Sequence, residues 1–151
     1  MMRSEARVNT RQISVQNGFS LIELMITVSI VAILAAIAIP SYTAFTRSSN
    51  RTDVTKAMTF DAQALERCYS QNFTYVGCAA APAGTANSSQ GYYSITIATP
   101  TASSFTITAV PIQAPQTGDS ACAQFTLNIA GTQGALTSGG TSNTQACWGS
   151  T

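Results

Sequence analysis

The chain predicts an α+β fold in which one long amino-terminal helix is followed by a small antiparallel sheet. Three observations carry that prediction: an unbroken apolar run, a helical period that continues beyond it, and alternating segments in the second half. The run is Phe19 to Ile39, FSLIELMITVSIVAILAAIAI, twenty-one residues containing a single charge, Glu23. As a helix it reaches roughly 30 Å, the thickness of a bilayer's hydrocarbon core. After Pro40 the helical pattern resumes: Val54, Met58, Ala62, Leu65 and Tyr69 recur at intervals of three or four and make one apolar face. From Ser20 to about Ser70 this gives a helix roughly 75 Å long. Its first half is apolar all round and its second is a stripe for packing on a domain. Pro40 marks the join, where the missing amide donor and the ring's clash with the preceding turn predict a kink.

The sheet follows from period-two alternation. Tyr93, Ile95 and Ile97 alternate with Ser94, Thr96 and Ala98, and after Pro100 to Ser103 the pattern returns as Phe105, Ile107 and Ala109, a hairpin signal. Gln124 to Ile129 adds a strand with Phe125, Leu127 and Ile129 on one face, ended by turns at Gly131 and Gly134. Three or four strands are predicted, their apolar face against the helix stripe, since neither buries its own. Gly77 to Gln90, rich in Gly, Ala, Pro and Ser, reads as loop. Arg47, Arg51, Asp53, Lys56, Asp61 and Glu66 fall mostly off the apolar stripe, so the polar side of the helix is expected to be free.

Four cysteines, Cys68, Cys78, Cys122 and Cys147, all lie beyond the apolar run, and the chain has no histidine. In an oxidising compartment they are read as disulfides. Sequence separation favours Cys68 with Cys78 and Cys122 with Cys147, while all three pairings of four cysteines remain open. Loops of these sizes are worth roughly 3 kcal/mol each. The Cys68–Cys78 loop is short and expected to be peripheral, so its removal is expected to have the milder effect. Zinc is disfavoured, because the spacings lack a close C-x2-C and no histidine can assist.

Charge is sparse, at 9% of residues. The first eighteen residues carry three arginines against one glutamate, a net +2 that the positive-inside rule keeps cytoplasmic. The remainder has four basic and five acidic side chains. That balance gives no support for strong phosphate binding, and no specific nucleic-acid partner is indicated. Without histidine, Ser-His-Asp and Cys-His catalysis are impossible. No Gly-rich phosphate loop is present. Asp61 and Glu66, five apart, do not share a helix face as a catalytic pair would. No enzymatic role and no cofactor or metal are expected. The sequons at Asn50, Asn72 and Asn87 receive no role, and Trp148 and the tyrosines read as core or interface residues.

Glu23 inside the apolar run costs roughly 3 kcal/mol or more in hydrocarbon unless paired, and no basic residue in the run can pair with it. A cut between Gly18 and Phe19 would place a new α-ammonium one turn away, in the same chain or a neighbour. Gly18, the following FSLIE, the apolar run and Pro40-Ser41-Tyr42 resemble the amino terminus of a type IV prepilin. Cys122 to Gly134, CAQFTLNIAGTQG, with the late Cys147-Trp148, and with Tyr69 to Asn72 and Tyr93 to Pro100, is similar to the PilE group of type IVa minor pilins. The resemblance covers nearly the whole chain after Gly18.

It implies the type IV pilin fold with a disulfide-closed carboxyl-terminal region, and a division into leader 1–18, transmembrane and filament-core helix 19–40, and globular domain 41–151. Within that domain the amphipathic helix runs to about 70, a loop occupies 71–91, and the sheet and carboxyl-terminal region occupy 92–151. It further implies cleavage by a prepilin peptidase between Gly18 and Phe19, N-methylation of Phe19, and Glu23 as the carboxylate that meets a Phe19 amine during assembly. The implied partners are the peptidase, other pilins and minor pilins, the inner-membrane assembly machinery, and membrane lipid before assembly. The implied location is the bacterial inner membrane, single-pass with a periplasmic domain, and then the extracellular fibre. Twitching motility, adhesion and DNA uptake follow as pilus functions. A major pilin or a type II secretion pseudopilin is the neighbouring alternative. A membrane-anchored adhesin or DNA-binding module that does not polymerise is the alternative from another class, and it predicts that Glu23→Ala leaves function intact.

Overall fold

The computed structural model describes residues 18–78, 85–98 and 100–149. The leader before Gly18 therefore lies outside the described residues, as does the middle of the Gly77–Gln90 segment. Helix α1 runs from Leu21 to Asn72 with Pro40 inside it. The sheet comprises β1 (Thr85–Asn87), β2 (Tyr93–Ala98), β3 (Thr106–Pro111), β4 (Gln124–Asn128) and β5 (Gln133–Leu136), and a short helix α2 (Thr144–Trp148) follows. The chain divides into two units at Ala38 and Ile39, the first holding the apolar start of α1 and the second its remainder with the sheet.

The five strands form an antiparallel meander in chain order, β1-β2-β3-β4-β5. Five replaces the three or four strands predicted. The extra pair was hidden for physical reasons. β1 is Thr-Ala-Asn, too short to show alternation, within the stretch read as loop. β5 is Gln-Gly-Ala-Leu, whose glycine reads as a turn. Gly134 sits opposite Thr126, and a Cβ at Gly134 would collide with the Thr126 hydroxyl, so the strand accepts glycine there for lack of space. Gly131, at φ +73, turns β4 into β5, a backbone region L side chains rarely adopt.

The register aligns one apolar row across the whole sheet, Ala86, Ile95, Ala109, Phe125 and Ala135. Small and large residues alternate, so Phe125 stands between two alanines with room for residues from α1. A second row is Ile97, Ile107 and Leu127. Against these rows α1 brings Val54, Met58 and Leu65, all without solvent exposure, with Ala62 and Tyr69 at the margin of the same core. The predicted apolar face is therefore the one that packs. At about 1.5–3 kcal/mol for each large apolar side chain fully buried, it accounts for the docking of the second half of α1.

Four aromatic contacts extend the core. Tyr93 and Phe125 meet edge to face at 5.6 Å, and Phe125 meets Trp148 at 6.1 Å. Tyr75, only 2% exposed, stacks on Tyr69 at 4.5 Å and meets Phe105 edge-on at 5.0 Å. Tyr75 belongs to the Cys68–Cys78 loop, and Cys78 is itself buried. The loop expected to be peripheral thus contributes a ring to the core, and the expectation of a mild effect on its removal loses its basis.

Candidate functional site: the amino-terminal segment and the domain it carries

Gly18 and Phe19 precede α1, and Phe19 is 82% exposed. Glu23 lies in the first turn of α1, four residues after Phe19. A carboxylate is favourable at a helix amino terminus, where unpaired amides concentrate partial positive charge. Glu23 is exposed and forms no ion pair among the described residues. From Leu21 to Ile39 the helix is long and apolar enough to cross a membrane, and its large side chains face outward. Beyond the first turn the backbone amides are satisfied within the helix, as a hydrocarbon environment requires. Thr27 and Ser29 donate their hydroxyls to the carbonyls of Leu24 and Met25, so these two hydroxyls are satisfied within the helix and Glu23 is left as the polar side chain that needs a partner.

In the domain, the polar side of α1 is not free as expected. Arg51 makes a bidentate pair with Asp119, Nε to Oδ2 and Nη2 to Oδ1, both at 2.7 Å. Asp119 is buried, and Arg51 is mostly so. Burial pushes the Asp119 carboxyl up, but the Arg51 hydrogen bonds and charge, a backbone amide and the Arg47 charge together hold it below the usual carboxylate range. The Asp119 hydrogen bond in turn raises the Arg51 guanidinium. Arg47 donates from Nε to the Pro115 carbonyl at 3.1 Å. Asn50 donates to the Gln116 Oε1 at 3.3 Å, and Gln116 Nε2 donates to the Tyr93 hydroxyl at 2.6 Å. Asn50, Gln116 and Tyr93 are all buried.

This network ties the segment from Pro115 to Asp119 to the helix through partners some seventy residues distant, which no local pattern reveals. Asn50 is accordingly a structural residue and not an open sequon. Asp53 accepts the Gln90 amide at 3.1 Å, and Glu66 accepts the Tyr75 hydroxyl at 2.9 Å. Burial and that carboxylate push the Tyr75 phenol up to about 12. Asp61 is half-buried, and burial pushes its carboxyl up.

The disulfides join Cys68 to Cys78 and Cys122 to Cys147, with Cα separations of 5.8 and 5.7 Å. The second encloses β4, β5 and the start of α2. Within it Asn143 donates to the Ala121 carbonyl at 3.1 Å, and Trp148 donates from Nε1 to the Gly134 carbonyl at 2.9 Å. Among the described residues no cluster of His, Cys, Asp and Glu is arranged to hold a metal.

A long helix with an apolar, outward-facing first half, a second half packed on an antiparallel meander, and a disulfide-closed carboxyl-terminal region define a pilin-like subunit. A family model described as "Type IV minor pilin ComP, DNA uptake sequence receptor" matches residues 40–126, and one described as "Prokaryotic N-terminal methylation motif" matches residues 13–39. The chain belongs to the type IV minor pilin family. Similar curated proteins include a fimbrial protein of Pseudomonas aeruginosa, 60% identical over 43 residues, which are 28% of this chain and 26% of that protein. Another is the prepilin peptidase-dependent protein D of Escherichia coli strain K12, 43% identical over 53 residues, 35% of this chain and 36% of that one. A third is the type IV major fimbrial protein FimA of Dichelobacter nodosus, 48% identical over 58 residues, 36% of this chain and 35% of that one. The chain spans only about a quarter to a third of the length of these relatives. The family description introduces DNA, to which the near-neutral charge balance did not point.

Proposed function

We propose that this protein is a minor subunit of a type IV pilus that polymerises through its amino-terminal helix and carries a DNA-receptor domain on the fibre. The observation that carries the first part is the exposed apolar half of α1 with Glu23 alone in its first turn. In this reading a prepilin peptidase cuts between Gly18 and Phe19 and methylates the Phe19 amine. The helix holds the subunit in the inner membrane with the domain in the periplasm until the assembly machinery and other pilins receive it. Glu23 then pairs with a Phe19 amine, which offsets the cost of its charge in an apolar bundle. Glu23→Ala as the only copy is expected to remove the protein from sheared fibres while leaving it in membranes. Wild-type incorporation of that variant contradicts the role of the carboxylate and favours a non-polymerising anchored module. N-methyl-Phe19, read by intact mass in both fractions, tests the processing.

The DNA-receptor part is supported by the match of residues 40–126 to a family described by that activity. Deleting the gene's product is expected to abolish uptake of extracellular DNA, and complementation to restore it. Unchanged uptake in the deletion strain removes this part and leaves the filament subunit standing.

A further inference from the structure

Of the four basic side chains between Ile39 and Gly149, two are engaged within the fold, Arg51 by Asp119 and Arg47 by the Pro115 carbonyl. Lys56 and Arg67 are exposed and form no ion pair among the described residues. Eleven residues, three helical turns, separate them, so they stand on one line of α1, about 16 Å apart along the axis. Phe60 and Gln63, at four and seven residues from Lys56, fill the interval, and Phe60 is 67% exposed.

Beside this line lies a groove of about 290 Å³ bounded by Thr55, Lys56, Thr59, Phe60 and Gln63 on α1 and by Gln133 and Trp148 opposite. The Trp148 ring is held in place, its Nε1 bonded to the Gly134 carbonyl and its edge packed on Phe125. The nearby carboxylates are turned to other partners: Asp53 accepts the Gln90 amide and Glu66 the Tyr75 hydroxyl. Asp61, five residues from Lys56, stands about 140° round the helix.

We propose that this face of α1 and the groove beside it bind a DNA strand, with phosphates on Lys56 and Arg67 and a base against the rings of Phe60 and Trp148. The inference rests on the DNA-receptor reading and adds a place and a chemistry to it. Two cations about 16 Å apart along the axis can each hold a phosphate of one extended strand whose intervening bases turn toward the groove. The aromatic faces between them offer sequence-tolerant stacking. The Gln63 and Gln133 amides, each both donor and acceptor, can read a base edge. With two phosphate contacts the binding is weak and only mildly salt-dependent, consistent with the low charge of the chain.

The test uses the full-length protein in phosphatidylcholine nanodiscs, titrated by fluorescence anisotropy with a short labelled single strand and with its duplex between about 50 and 200 mM salt. For the single strand the plot of log affinity against log salt is expected to fall with a slope of about −1.4. Lys56→Gln and Arg67→Gln are each expected to reduce that slope by about 0.7. Phe60→Ala is expected to weaken binding about tenfold at unchanged slope. These positions are exposed, and unaltered thermal unfolding of the variants verifies the fold. DNA affinity unchanged in the double variant Lys56→Gln/Arg67→Gln overturns this site and leaves the receptor reading intact, as does a variant that loses fibre incorporation at unchanged DNA affinity, which makes the face a contact between subunits. Absence of binding by the wild-type protein to either form of DNA overturns both.

Discussion

Helix α1 is one secondary structure with two solvents. Between Leu21 and Ile39 twelve large apolar side chains are each more than half exposed, whereas Val54, Met58 and Leu65 in the second half have no exposure. At about 1.5–3 kcal/mol per buried side chain, the first half holds a driving force for burial that no contact among the described residues satisfies. The second half has discharged its share against the sheet. Apolarity in a helix therefore says little about where its burial is completed. The pattern around the helix says more: apolar on every side for a partner outside the fold, and a stripe for a partner within it.

The contrast breaks most visibly if the carboxyl-terminal bridge is lost. Cys122→Ser with Cys147→Ser removes a 25-residue closure and is expected to lower domain stability by about 3 kcal/mol, read as a lower urea midpoint and a reduced subunit level. A matched pair of truncations then tests the two halves directly. Met58→Ala is expected to cost about 3 kcal/mol in domain unfolding. Ile33→Ala is expected to change it by less than about 0.5 kcal/mol, although it removes a side chain of similar size; equal losses would mean that both halves are buried within one fold.

The Arg51–Asp119 pair sharpens the comparison through pH. Because the folded carboxyl lies below its unfolded value, its contribution is complete above about pH 4 and fades as pH falls through the folded value. Arg51→Met is expected to cost about 2 kcal/mol at neutral pH, and its deficit relative to wild type to shrink as the medium is acidified below about pH 4. A constant deficit across that range shows that the guanidinium acts by packing alone. The smallest effect is at the end of α1, where Phe73 adopts φ +55, a left-handed conformation costly for a bulky residue. Phe73→Gly is expected to raise domain stability by up to about 1 kcal/mol, seen as a higher melting midpoint.

Sequence periodicity made the helix, its apolar face and three of the strands legible, because each contains enough residues for a period to repeat. It could not reveal β1, whose three residues contain no repeat, or β5, where Gly134 is present for want of space beside Thr126. The polar latch was also invisible. Arg51 and Asp119 are 68 residues apart, and a charged residue off an apolar stripe looks the same in sequence whether it faces water or a buried carboxylate. The same ambiguity hid the sorting of cations. A net charge near zero conceals that Arg47 and Arg51 are committed internally, which leaves Lys56 and Arg67 alone on one line of the helix.

The Cys122–Cys147 bridge has a mechanical consequence for any subunit that is pulled. Without it, stripping β4, β5 and α2 from the domain would let those 25 residues pay out to about 85 Å of extended chain. With it, tension passes directly between two Cα atoms 5.7 Å apart, and the enclosed strands bear none of it. The carboxyl-terminal region behaves as a closed ring on a taut line, and its shape survives forces that would unravel an open hairpin.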